Sequence, residues 1–99
     1  MNKNFKVIKI DHVAIASKSI ESSMKIFSNI LGIPHVESEE IVNEKVKVLK
    51  FFSNNDTTCI EILEPTSKDS TVEKFIRNKG EGLHHIALEV DDIYNAIQY

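Results

Sequence analysis

The chain is predicted to be an α+β domain: one β-α-β-β-β unit, a connecting helix, and the opening of a second unit. Three observations predict it. β-branched runs with period-two alternation recur along the chain. Apolar residues at helical spacing separate the first of these runs from the next. A short phrase, "HVAIA" at 12–16, returns as "HIALE" at 85–89, an offset of 73 residues that also lays Ile20 over Ile93 and Met24 over Ile97.

Each element has its own local reason. "KVIKIDHVAIA" (6–16) alternates in polarity after Ile8 and reads as a strand. In "SKSIESSMKIFSNILG", Ile20, Met24, Phe27 and Leu31 form one stripe of an α-helix; Ser17 or Ser19 caps its start, and Gly32 with Pro34 ends it. "HVESEEIV" reads as an irregular or edge strand. "KVKVLKFFS" and "TTCIEILEP" are strand-like runs on either side of the polar "NND", an antiparallel hairpin pattern closed by Pro65. After the polar "TSKDS", "TVEKFIRNKG" places Val72, Phe75 and Ile76 on one side of a helix. "GLHHIALEV" opens a new strand, and "DDIYNAIQY" reads as a helix capped by Asp91 or Asp92 and stopping at Tyr99. The expected organisation is a single domain over 1–99, with a first unit at about 6–65, a connector helix at about 70–79 and the start of a second unit at 82–99. Three strands of that second unit are absent from the sequence.

Composition excludes several function classes. The chain has 99 residues, 41% apolar and 27% charged, which suits one globular domain with its own core. A net charge of −3 argues against nucleic acid as a partner. No apolar run approaches the roughly 20 residues of a membrane span, and no signal peptide is visible. Cys59 is the one cysteine, so there is neither a disulfide framework nor a cysteine metal cluster. A cytoplasmic setting is expected.

Strand alternation identifies the candidate site. His12, Ala14 and Ala16 share one face of the first strand, and Val13 and Ile15 share the other. In the later strand His85, Ala87 and Glu89 share a face, opposite His84, Ile86 and Leu88. Each strand thus places bulky aliphatics on a face fit to pack under a helix, and a histidine followed by a small residue on the other. Small neighbours leave space around an imidazole, as a cavity requires. Two satisfied, partly buried histidines are the plain alternative, and the repeat symmetry favours a metal site. Two imidazoles rarely hold an ion unaided, and Glu61, mid-strand between Ile60 and Ile62, is the best third donor; otherwise it lies on a solvated sheet face. Glu64 falls on the opposite face and is expected to be exposed, Glu89 to line a rim, His35 to face solvent from a loop, and Cys59 to be a small core residue. Imidazole with carboxylate suits zinc, cobalt, manganese, nickel or iron(II).

"IDHVAIA", the helix after it, and "CIEILEPTSKDSTVEKFIRNKGEGLHHIALEVDDI" resemble the methylmalonyl-CoA epimerases, a branch of the vicinal oxygen chelate superfamily that also holds glyoxalase I. The resemblance covers nearly the whole chain, and its block from Glu61 to Ile93 is the more specific part. It implies a pair of βαβββ modules around a divalent metal (cobalt, manganese, nickel or zinc), with the second module begun but truncated here. Its ligands map to His12, Glu61 and His85, and the fourth, a glutamate also tied to proton transfer, would lie beyond Tyr99. The implied reaction is epimerisation of methylmalonyl-CoA, an acyl-CoA substrate, by proton removal alpha to the thioester through a metal-stabilised enolate. Inversion needs two acid–base groups. Apart from that glutamate the catalytic residues are unassigned, with Glu44 a guess for the second. A homodimer is the default implied assembly. The alternatives are a glyoxalase I-like lactoylglutathione lyase and a non-catalytic small-molecule-binding module of the same fold.

Overall fold

The computed structural model describes residues 4–33, 35–52 and 57–98, with only the backbone of His35. Pro34, the "NND" turn and Tyr99 therefore lie outside the described residues. Five strands form one mixed sheet: β1 (Val7–Ala16), β2 (His35–Ile41), β3 (Val46–Phe52), β4 (Cys59–Pro65) and β5 (Gly82–Val90). Their order across the sheet is β2-β3-β4-β1-β5. β1 runs parallel to β4 and antiparallel to β5, and the remaining neighbours are antiparallel. The helices are α1 (Ile20–Met24), α2 (Thr71–Lys79) and α3 (Ile93–Gln98). The α+β class is as the sequence predicts, and His35 begins an edge strand rather than standing in a loop.

Alternation gives the sheet two different faces. On one, Ala14, Ala16, Val46, Val48 and Leu63 pack with Val72 and Ile76 of α2. On the other, Leu49, Phe51 and Ile62 form a second cluster against which Ile20 and Phe27 rest. Each cluster removes large aliphatic groups from water, at about 25 cal/mol per Å² of apolar surface. Ala14 and Ala16 are fully buried. Their small size serves close approach of α2 to β1, where the sequence had suggested open space.

The first helix departs from its stripe. After α1 the backbone widens into a π-helix over Lys25–Ile30, and Leu31 N–H donates to Ile26 O at 2.9 Å. Wider winding rotates later residues away from the α-helical phase. Ile20 and Phe27 still reach the core, while Met24 and Leu31 turn outward. Gly32, at φ +69°, ends the segment in the left-handed region that suits glycine. Neither serine caps the start through its side chain at the amide of Ile20; that amide donates to Glu64 Oε1 at 3.1 Å. Glu64 does lie on the face opposite Glu61, but as a half-buried cap.

α2 follows its pattern closely. Val72 and Ile76 are buried and Phe75 is half-buried. Ser70, 1% exposed, caps the helix by accepting from the amides of Val72 and Glu73 at 3.1 and 3.3 Å. α3 is capped by Asp92, whose Oδ1 accepts from Asn95 N–H at 3.0 Å. Asp91 instead ties the end of β5 to the start of β1, accepting from Lys6 N–H at 2.7 Å. The aliphatics of β5 differ from expectation: Leu83, Ile86 and Leu88 are each more than half exposed. α1 packs toward β3 and β4, so it does not shield those aliphatics.

Ser70→Ala leaves two helix-end amides without their acceptor in a buried setting. The expected loss is about 1 kcal/mol of stability, read from the urea unfolding midpoint.

Candidate metal centre and its cavity

The register around β1 brings the predicted donors together. Ala14 is paired with Glu61 of β4 on one side and with His85 of β5 on the other. His12 Nε2 lies 3.1 Å from His85 Nε2, with the rings edge to face and their centroids 5.2 Å apart. Glu61 Oε2 lies 3.5 Å from His12 Nδ1 and accepts from the Cys59 thiol at 3.9 Å. On the same nitrogen, Asp11 Oδ2 is nearer, at 2.8 Å. That hydrogen bond is the main reason the Asp11 carboxyl sits below its usual range.

His84 is not on the packed face that simple alternation assigns to it. The pairing passes from Ala14↔His85 to Ile15↔Leu83, which leaves His84 as the extra residue of a bulge. Its ring packs edge-on against Phe75 of α2, centroids 4.8 Å apart, and its Nδ1 lies 2.8 Å from Nδ1 of His85. Burial, and then the neighbouring His85, lower its pKa from the ordinary imidazole value.

A cavity of about 640 Å³ opens beside these residues, within the span of roughly 300–1,000 Å³ common for small-molecule sites. Ile41, Val46, Val48, Leu63 and Val72 give it apolar walls, and Glu44, Glu61, His84 and His85 give it polar groups. Glu44 reaches it from a 3₁₀ turn, Val42–Glu44, just before β3. Glu89 is exposed and is not among the lining residues. Cys59 is buried as expected, and burial, with the nearby charge of Glu61, pushes its thiol up to about 11. A thiol so protonated at neutral pH is a poor nucleophile.

Comparison with known proteins gives the fold its family. The family model described as the glyoxalase/bleomycin resistance protein/dioxygenase superfamily matches residues 11–99. The chain belongs to this superfamily. Among its relatives, the mitochondrial methylmalonyl-CoA epimerase of Dictyostelium discoideum is 37% identical over 91 residues, covering 91% of this chain and 54% of that protein. The human mitochondrial methylmalonyl-CoA epimerase is 37% identical over 90 residues, covering 90% of this chain and 50% of its own length. This chain therefore spans about half the length of the curated relatives it matches. A hypothetical protein from Bacillus halodurans superposes with a TM-score of 0.80 at 34% identity, covering 97% of this chain and 66% of that one. A variant of the Streptomyces coelicolor methylmalonyl-CoA epimerase, in complex with 2-nitronate-propionyl-CoA, does so with a TM-score of 0.81 at 26% identity, covering 94% and 68%.

The superfamily frame raises the question of whether a divalent ion fits. Two nitrogens each about 2.0–2.1 Å from one ion lie roughly 3 Å apart, and the two Nε2 atoms meet that span. Glu61 instead meets His12 at its other nitrogen. The three predicted donors gather without converging on one point, and no closed cage of three His, Cys, Asp or Glu side chains forms among the described residues. The imidazole pair fits an ion, with Glu61 beside it.

One ion pair braces the cavity wall. The Lys45 ammonium, following the 3₁₀ turn in the left-handed region at φ 57°, pairs with Asp69, which also accepts from the Ser67 hydroxyl. Lys45 first, then Ser67, hold the Asp69 carboxyl at about 2, below its ordinary 3.8. A pKa depressed on folding stabilises the fold at every pH above the unfolded value and loses that contribution as pH falls through the folded one. Asp69→Asn is expected to lower the urea midpoint at neutral pH. The gap from wild type should close between pH 3.8 and about 2, as acid titration of both proteins will show.

Proposed function

We propose that this chain supplies the metal-binding half of an epimerase for methylmalonyl-CoA or a close acyl-CoA. One observation carries the proposal. His12 and His85, from strands that repeat one another in sequence, bring their Nε2 atoms to 3.1 Å beside a cavity that also holds Glu44 and Glu61. The epimerase names and acyl-CoA ligand of the similar proteins support the substrate class.

His12 and His85 are the residues whose facing Nε2 atoms would hold a divalent ion, whether cobalt, manganese, nickel or zinc. Glu61, now at the other nitrogen of His12, would have to turn toward that ion to serve as the third donor. Such an ion supplies Lewis-acid stabilisation of the negative charge that develops on the substrate oxygens when the alpha proton leaves. The apolar wall of Ile41, Val46, Val48 and Leu63 makes one side of the cavity less polar than water, which strengthens charge interactions against it. Glu44 is the chain's own candidate to move a proton at the alpha carbon. It lines the cavity from the turn before β3, and inversion needs it to act on the face of the alpha carbon opposite the other acid–base group. The other group, a glutamate beyond Tyr99, belongs to the same proposal. So do a homodimer, which light scattering reads directly, and a cytoplasmic setting. The lone cysteine is compatible with a reducing compartment. Among the described residues no helix is long and apolar enough to cross a membrane.

The full chain in deuterated buffer should exchange the alpha proton of methylmalonyl-CoA. A chelator should abolish the exchange and an added divalent ion restore it. Glu44→Gln should slow it by about 10²–10⁴-fold, the usual contribution of a positioned acid–base group. Absence of ion-dependent exchange would leave a glyoxalase-like lyase or a binding module as the better reading.

A further inference from the structure

Two residues beside the proposed ligands have no role so far, Asp11 and His84. They are counterparts at the repeat offset of 73, each immediately preceding a proposed ligand. Each is also the extra residue of a bulge: pairing skips Asp11 between Ile10↔Leu88 and His12↔Ala87, and skips His84 between Ala14↔His85 and Ile15↔Leu83. A bulge re-aims a side chain that strict alternation would send to the other face. Here both arrive at Nδ1 of the ring that follows, Asp11 at 2.8 Å from His12 and His84 at 2.8 Å from His85. The two Nε2 atoms face each other at 3.1 Å. The four side chains make one line: Asp11, His12, His85, His84.

Proton counting orients that line. An ionised carboxylate only accepts, so His12 carries its proton on Nδ1 and has a lone pair on Nε2. His85 must then donate from Nε2, which leaves its Nδ1 an acceptor, so His84 donates from Nδ1. With three neutral rings, no other assignment satisfies all three contacts. An ion shared by the two Nε2 atoms needs a lone pair on each. His12 already offers one. His85 must shift its proton to Nδ1, and His84 must then accept at Nδ1 while holding its own proton on Nε2. The number of ring protons is unchanged, and solvent carries the exchange.

We propose that Asp11 and His84 are positioning residues for cation binding: Asp11 locks His12 in the metal-ready tautomer, and His84 is the reversible partner that lets His85 enter it. This rests on the reading of His12 and His85 as ligands. The edge contact with Phe75 holds the His84 ring in place for both states. Outer partners of this kind typically contribute about 10–100-fold to metal affinity.

The test is nitrogen NMR of the ¹⁵N-histidine-labelled full chain at about pH 8, above the ordinary imidazole range, without metal and then with Zn²⁺ as a diamagnetic probe. Calorimetry of Zn²⁺ binding accompanies it. His12 should hold its proton on Nδ1 throughout, while His85 moves its proton from Nε2 to Nδ1 on loading. Asp11 is half exposed, so Asp11→Ala should fold, release His12 into both tautomers and weaken Zn²⁺ by about 10–100-fold. His84→Phe keeps a ring against Phe75 but removes the acceptor; it should weaken Zn²⁺ similarly and leave the His12 tautomer alone. Unchanged tautomers and affinity in both variants, with binding lost in His12→Ala and His85→Ala, would overturn the positioning roles alone. An effect in only one variant removes the other residue from the proposal. Wild-type Zn²⁺ binding by His12→Ala and His85→Ala would overturn the ligand reading, and this proposal with it.

Discussion

The two-sided pairing of β1 is the constraint on which the rest depends. This strand is hydrogen-bonded to β4 along one edge and β5 along the other, so one register fixes which residues of three strands share a face. Ala14 stands opposite both Glu61 and His85. A slip of one residue would turn His12 to the α1 face and expose the aliphatics packed there. Ala14 and Ala16 protect that register, because any larger side chain would meet Val72 and Ile76 of α2. The packing that stabilises the sheet is thus the packing that aims the histidines.

Two of the three register shifts in the β1–β5 ladder fall at the site. The bulges at Asp11 and His84 interrupt the β1–β5 ladder where the two histidines meet. A bulge gives up local pairing, and here the side chains it redirects satisfy one another instead. The buried or half-buried polar groups around the site each have a partner: Cys59 with Glu61, Asp11 with His12, and His84 with His85. Mutual satisfaction of this kind is what makes polar groups tolerable beside an apolar core. The same sheet leaves Leu83, Ile86 and Leu88 largely exposed, together with Ile93 and Ile97 of α3.

Much of this was legible in the residues. β-branched runs marked the strands, with β2 legible only as an irregular or edge strand. The 3.6 period placed Val72, Phe75 and Ile76 on one side of α2, and the repeat matched His85 to His12. Other features were not legible because they depend on partners distant in sequence. The cap of α1 comes from Glu64, 44 residues away, and no local serine rule can find it. The π-helix over Lys25–Ile30 keeps Phe27 on the core and turns Leu31, which follows it, outward, a shift that a fixed 100° step does not contain. A bulge inserts a residue without any glycine or proline to announce it, so the placement of His84 escaped the alternation argument.

The sequence by itself determined the α+β class, the strand and helix periodicities, and the residue types that make a cation site chemically sensible, because these follow from local sterics and side-chain chemistry. Tertiary structure alone decided that two rings meet at Nε2, that Glu61 approaches His12 from its other nitrogen, and that Glu44 shares their cavity. Those outcomes are set by register between strands far apart in the chain. A registration error of one residue is invisible to composition and spacing, yet it moves a side chain to the opposite face of the sheet.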